Sequence, residues 1–355
     1  MVLTKDIFEQ TLRDAIKKRE MPYYNKYAFH FRWADDDTGA ERDFQSFKSM
    51  MDTCGFPNPD EWVIPLNSPI PEWEIVTKLA KIIGKVGDAD GRSIIVIHYA
   101  GHGVPSSSSG ELLFTNSRGK TIKAAAIIAL LENSLPKDMP VDILLIFDCC
   151  GNFLARTLTP DSRLIEIITA GNKRDSIAFE STRNTSLTFE LFMEVRSRAR
   201  KSHLFVEVVD IVSEIRRTSP VKTPHHTSLL GIGSIRLPLG SNSAAMSNAI
   251  MGRIYPPLAR YAATFSIHTS HTYDAKELEQ LSSWIVNPEG DCKLTLEYVK
   301  ETSSTLFIFE APYTAFLRIQ GLPGVTLLAE HEPSYPRVQQ HIQPTPDHIV
   351  GTENM

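Results

Sequence analysis

Two short stretches of the chain hold the residue types that nucleophilic catalysis needs. His98-Tyr99-Ala100-Gly101-His102-Gly103 closes one apolar run, and Asp148-Cys149-Cys150-Gly151-Asn152 closes another. A thiol becomes a potent nucleophile when a neighbouring imidazole takes its proton and stabilises the thiolate. Cys150 is therefore the candidate nucleophile and His102 the candidate general base and acid. Gly101 and Gly103 leave the backbone beside His102 bare, so an N–H there can approach a substrate carbonyl closely. The N–H groups of Gly103 and Cys150 are the candidate oxyanion donors. His98 and Cys149 read as structural neighbours, since a buried cysteine behaves as a small apolar residue; Cys54 and Cys292 read the same way. Adjacent cysteines cannot easily supply two corners of a tetrahedron, which disfavours a zinc site at His98, His102, Cys149 and Cys150. No metal and no cofactor is expected.

These residues need a frame. Ser93 to Ile97 and Ile143 to Phe147 are continuous apolar runs. Strands without polar alternation are buried on both faces, as in a parallel sheet covered by helices. Tyr27 to Trp33, Val63 to Leu66, Leu164 to Thr169 and Leu229 to Leu237 are further strand candidates. Apolar residues at helical spacing predict helices over Phe44 to Cys54, Glu72 to Val86, Thr121 to Glu132, Thr185 to Arg200 and Phe205 to Arg216. The alternation of strand and helix is that of an α/β fold with right-handed crossovers. Sites in open parallel sheets form outside the carboxyl ends of the strands, which is where His102 and Cys150 fall.

A composition break at Gly240-Ser241-Asn242-Ser243-Ala244-Ala245 marks a linker. The expected organisation is an N-terminal helix within residues 1–25, a large α/β domain over 26–240, a small α+β unit over 241–331 and a disordered tail over 332–355. The small unit reads as strand, helix, strand, strand, short helix, strand, the order of a ferredoxin-like split βαβ arrangement. It lacks the Arg/Lys-Gly-Phe-Gly-Phe type of strand used to bind RNA. Hydrophobic residues make up 42% of the 355 and charged residues 22%, with a net charge of -5. That composition describes a soluble globular protein with no general attraction to nucleic acid or anionic membrane. No run approaches the roughly 18 apolar residues of a membrane span, and Met1 to Glu20 lacks the apolar core of a signal peptide. Four cysteines, two of them adjacent, are poor material for a disulfide scaffold and fit a reducing, cytoplasmic setting.

The two catalytic stretches resemble those of a known family. His98-Tyr99-Ala100-Gly101-His102-Gly103 is similar to the His-Tyr-Ser-Gly-His-Gly motif of metacaspases, and Asp148-Cys149-Cys150 to their Asp-Ser/Cys-Cys motif. The two residues lie 48 positions apart (150 − 102), against the roughly 50 of the caspase histidine and cysteine. Upstream, Thr38-Gly39-Ala40-Glu41-Arg42-Asp43 resembles the Gly-Ala-Glu-x-Asp stretch that opens a caspase helix. The likeness runs from about Lys26 to Pro238 and implies a caspase-like, mostly parallel six-stranded sheet with helices on both faces.

The resemblance implies a cysteine endopeptidase of the caspase and metacaspase type (peptidase C14), with a His102–Cys150 dyad. Aligned with the caspase residues that grip a substrate aspartate, Asp37 and Asp148 supply carboxylates instead, and Ala100 stands where metacaspases have a pocket serine. Two carboxylates repel an acidic side chain and attract a guanidinium or ammonium. The implied partners are protein substrates with Arg or Lys before the cleaved bond. The implied setting is regulated cell death or stress signalling. Close carboxylates at Asp37 and Asp148 would raise one pKa. Arg156 and Arg163, between Cys150 and the next strand, are the expected self-cleavage sites. Cys150-Gly151-Asn152 departs from the Cys-His-Ser-Gly continuation, which leaves a caspase-fold adaptor without activity as the alternative. The oligomeric state stays open.

Overall fold

The computed structural model describes residues 22–150, 163–170, 186–218, 224–231, 234–240, 262–269, 295–301, 305–312, 316 and 324–331. The expected helix within 1–25, the linker, the tail, Cys292 and Arg156 lie outside them. The central element is a six-stranded sheet. In spatial order its strands are β10 (His225–Leu230), β8 (Leu164–Thr169), β7 (Val141–Asp148), β3 (Ser93–Ala100), β1 (Asn25–Trp33) and β2 (Asp60–Ile64). Five strands run parallel and only β10, at one edge, is antiparallel. The expected mostly parallel α/β sheet is thus present.

Both faces of the sheet are covered, which explains why its central strands carry no polar alternation. All eight residues of β3 and all eight of β7 are buried. On one face Ile95, Ile97, Tyr99, Ile143 and Leu145 pack with α2 (Pro71–Gly87) and α3 (Ala124–Asn133), through Ile75, Leu79, Ile127 and Leu131. On the other face Ile94, Val96, Leu144 and Ile146 meet α1 (Ala40–Thr53), α4 (Leu187–Arg200) and α5 (Val208–Thr218). Each such aliphatic side chain contributes about 1.5–3 kcal/mol on burial. Register is pinned at the amino ends of the strands. The Asp142 carboxylate there accepts from Arg92 and from Tyr23 Oη (2.6 Å), and it also takes the Leu164 N–H.

Four stretches differ from the sequence-based expectation; the first is Val63 to Leu66, where the strand is instead Asp60–Ile64. Thr121 does not start a helix: Thr121–Lys123 is a strand, β6, and the helix begins at Ala124. With β4 (Gly103–Pro105) and β5 (Leu112–Thr115) it forms a small antiparallel sheet. Strands of three or four residues are too short to carry a readable period. Phe205–Glu207 is likewise a strand, β9, and Leu229 to Leu237 is divided between β10 and β11 (Arg236–Pro238). The division falls at Gly231, where φ is +78° and a Cβ would lie 2.0 Å from the Arg163 carbonyl oxygen. Arg163 is no site for a self-cleavage cut in this fold. It is only 2% exposed, and Nη1 donates to the carbonyls of Glu132 (3.1 Å) and Leu135 (2.8 Å) at the end of α3.

Among the described residues from 262 onward, four strands form a separate antiparallel sheet. Its order is β13 (Thr295–Glu301), β14 (Thr305–Pro312), β12 (Ala262–Thr269), β15 (Val325–His331). Phe265, Phe307, Phe309 and Phe316 lie on its buried side. No helix among the described residues is long and apolar enough to cross a membrane.

Candidate active site

Parallel pairing brings the two candidate stretches together. In β3 and β7 the last paired residues are Ala100 and Asp148. His102 and Cys150 each follow by two residues, so both leave adjacent strands at the carboxyl edge of the sheet. The Gly101 N–H donates to the Asp148 carbonyl at 3.2 Å and extends the pairing one step further. Both side chains reach the surface: His102 is 47% exposed at its side chain, and Cys150 is exposed. Cys54, Cys149 and Cys150 are in no disulfide.

The glycines are needed for space. A Cβ on Gly103 would lie 2.2 Å from the Cys150 carbonyl oxygen and 2.7 Å from Cys149 Sγ. A Cβ on Gly101, where φ is +139°, would meet Tyr99 Oη at 2.8 Å and Asp36 Oδ2 at 2.9 Å. The His102 carbonyl accepts from Tyr99 Oη (2.8 Å) and from the Thr115 N–H (3.0 Å). Hydrogen-bonded and non-hydrogen-bonded pairs alternate in an antiparallel ladder. With His102 and Thr115 bonded, the next pair, Gly103 and Phe114, is of the open kind, and the Gly103 N–H faces away from β5.

The three consecutive aspartates have three different partners. Asp35 Oδ2 accepts from the N–H and hydroxyl of Ser117. Asp36 Oδ1 accepts from the N–H groups of Thr38 (3.0 Å) and Ala40 (3.0 Å), closing the turn that starts α1. Asp37 reaches His102 instead, with Oδ1 2.5 Å from Nε2. The hydrogen bond and charge of His102 hold the Asp37 carboxyl below the usual carboxylate range. Asp37 is exposed there, so the pair adds little to the stability of the fold.

Asp148 sits deeper, at 7% exposed. Its Oδ2 accepts from the backbone N–H (2.8 Å) and hydroxyl (2.7 Å) of Thr188, in the first turn of α4. Ala100 is fully buried beside it. The carboxylate next to Asp148 is Asp43, not Asp37. Burial and the charge of Asp148 push the Asp43 pKa up to about 7, while a hydrogen bond with Ser186 opposes them. The carboxyl raised by crowding is therefore on α1. Asp43 entered the sequence reading only as part of the helix-opening stretch. Nothing marked Thr188 there, because its partner precedes it by forty positions.

A stability measurement checks this pair. A carboxyl with a higher pKa in the folded chain than in the unfolded chain stabilises the fold in its protonated form. That contribution is complete below about pH 4 and is lost as pH rises through the folded value of about 7. The wild-type urea midpoint, relative to that of Asp43→Asn, should fall between about pH 4 and about pH 7. Parallel pH profiles for the two chains would contradict the assignment.

Cys149 is 4% exposed, and burial raises its thiol pKa well above the ordinary value, with Asp148 adding to the effect. A thiol kept protonated is a poor nucleophile. With Cys150 as the candidate nucleophile, Cys149→Ala should keep most of whatever turnover the wild-type chain shows and cost about 1 kcal/mol of stability. An inactive, folded Cys149→Ala chain would move the nucleophile by one residue. Among the described residues, no group of three or more His, Cys, Asp or Glu side chains is arranged to hold a metal ion.

Comparison with known proteins bears on this same segment. Residues 73–153 match the family described as the Raptor N-terminal CASPase like domain. The matched stretch runs from α2 to just past β7 and contains both His102 and Cys150. Among solved structures, the chain is similar to the Drosophila initiator caspase Dronc, with a TM-score of 0.40 and 12% identity. The similarity covers 60% of this chain and 83% of that one. No curated protein matches the sequence. The topology described above and the family match define a caspase-like α/β fold.

Proposed function

We propose that the chain is a cysteine endopeptidase cleaving after arginine or lysine. The observation that carries this reading is the β3–β7 register, which sets His102 and Cys150 beyond paired residues at the carboxyl edge of the sheet. In the proposed reaction His102 takes the Cys150 proton, and the thiolate attacks the scissile carbonyl. The Gly103 and Cys150 N–H groups receive the developing oxyanion. His102 then returns the proton to the leaving amine, and water releases the acyl group. Asp37 keeps the imidazole oriented. Asp148 accepts the cationic side chain, with Asp37 at the rim as a second carboxylate. The substrates are proteins, the setting is cytoplasmic, and the pathway is regulated cell death or stress signalling.

A second reading is a caspase-fold interaction module that binds partners without cutting them. It draws on the Raptor N-terminal match, whose description names a caspase-like domain and no peptidase activity. The discriminating experiment is hydrolysis of a fluorogenic peptide ending in Arg or Lys by the wild-type chain and by Cys150→Ala. Hydrolysis that is absent from both, or equal in both, removes the peptidase reading and leaves the module.

A further inference from the structure

Behind Asp148 runs a line of buried polar groups that the proposed reaction does not use. His30 Nδ1 lies 2.9 Å from His98 Nδ1, and His98 Nε2 lies 2.8 Å from Thr188 Oγ1. The Thr188 hydroxyl ends the line on Asp148 Oδ2. His30, His98 and Thr188 are completely buried. The imidazoles stack on α1, His30 against Phe44 with ring centroids 4.8 Å apart and His98 against Phe47 at 4.6 Å. Burial holds both rings neutral: the His98 pKa is lowered to about 3, and that of His30 falls well below its ordinary value.

With Asp148 as a carboxylate, which can only accept, hydrogen-bond bookkeeping fixes the direction of every proton in this line. The single hydroxyl proton of Thr188 goes to Asp148, so Thr188 Oγ1 must accept from His98. His98 therefore carries its proton on Nε2 and presents a bare Nδ1. His30 must then donate from Nδ1, which leaves its Nε2 as a bare lone pair. His30 Nε2 is indeed a buried atom with no partner among the described residues. All the donors point one way, toward the carboxylate at the end of β7.

One further feature favours an anion at that end. Asp148 receives the Thr188 N–H at the amino terminus of a 14-residue helix, where the helix dipole favours negative charge.

We propose that His98 and Thr188 are positioning residues for cation recognition: a one-way donor chain from His30 through His98 and Thr188 fixes the orientation of the Asp148 carboxylate. The proposal rests on the reading of Asp148 as the cation-binding carboxylate, but its tests do not need turnover. The first is long-range 1H–15N NMR of the histidine rings in the full chain. His98 should be the Nε2–H tautomer and His30 the Nδ1–H tautomer, both neutral from about pH 5 to 8. An Nδ1–H tautomer at His98 reverses the chain and overturns the proposal, whatever the substitutions do to folding.

The second test measures binding of an arginine-terminated peptide to the Cys150→Ala chain by calorimetry. Adding Thr188→Val, which removes only the hydroxyl, should weaken Kd about tenfold or more, while adding Thr188→Ser should stay within about twofold. Equal affinities for the Val and Ser chains overturn the proposal and leave the peptidase reading standing. Absence of binding overturns it together with the acidic pocket. The peptidase reading falls separately, on a wild-type chain that hydrolyses no peptide. In the active wild-type background, Thr188→Val should raise KM and leave kcat within about twofold, whereas a general loosening of the fold would lower kcat.

Discussion

Cys150→Ala is expected to lower hydrolysis of an arginyl fluorogenic peptide on the order of 10^4-fold or more, and His102→Ala to do the same. The double variant should be no worse than either single one. A thiol and its base act as a unit, so once one is lost the other has nothing left to contribute. The expectation rests on placement: both residues follow the last paired positions of two adjacent buried strands, and Gly103 packs directly on Cys149 and Cys150. A burst titration with an alkylating peptide, read by mass spectrometry of the labelled residue, checks that Cys150 and not Cys149 is modified. Additive losses in the double variant, or wild-type rates in either single variant, would contradict a dyad.

Specificity gives the second large effect. Asp148 and Asp43 lie side by side within the fold, and Asp37 stands exposed at the edge of the site. An aspartyl substrate side chain would bring another negative charge toward these carboxylates, whereas a guanidinium brings the complementary charge in a planar fork. A peptide library should therefore return Arg first, Lys second and essentially no Asp. Asp148→Asn keeps an oxygen able to accept from Thr188 but removes the charge. It should lower kcat/KM on a lysyl peptide by about 2–5 kcal/mol, roughly 30-fold to several thousand-fold, a far larger loss than Cys149→Ala produces. A library dominated by aspartate would refute the proposed acidic pocket.

The strands that carry the site were legible because burial on both faces erases polar alternation. Ser93 to Ile97 and Ile143 to Phe147 could be little else than central strands. The residues that follow them, glycines around a histidine and a pair of cysteines, announced chemistry by type. What the sequence did not disclose were contacts made across long separations by ordinary residues. Thr188 is one threonine among many until α4 presents its first turn to Asp148. His30 is one histidine of eleven until β1 lies beside β3. Within the Asp35-Asp36-Asp37 run the sequence could not say what each carboxylate meets, because adjacent side chains in a turn diverge and only the surrounding elements decide their partners. The β4–β5–β6 sheet was missed for a different reason: each strand is shorter than the window in which a period can be recognised.

That aspartate turn works as a joint with three attachments. One carboxylate is fastened to Ser117 in the turn between β5 and β6, one to the opening of α1, and one to the imidazole at the thiol's edge. Three consecutive residues thus tie the β5–β6 turn, the opening of α1 and His102 to one short stretch of backbone, so a ligand or neighbouring protein gripping the turn around Ser117 would pull on the same stretch that carries the His102 partner.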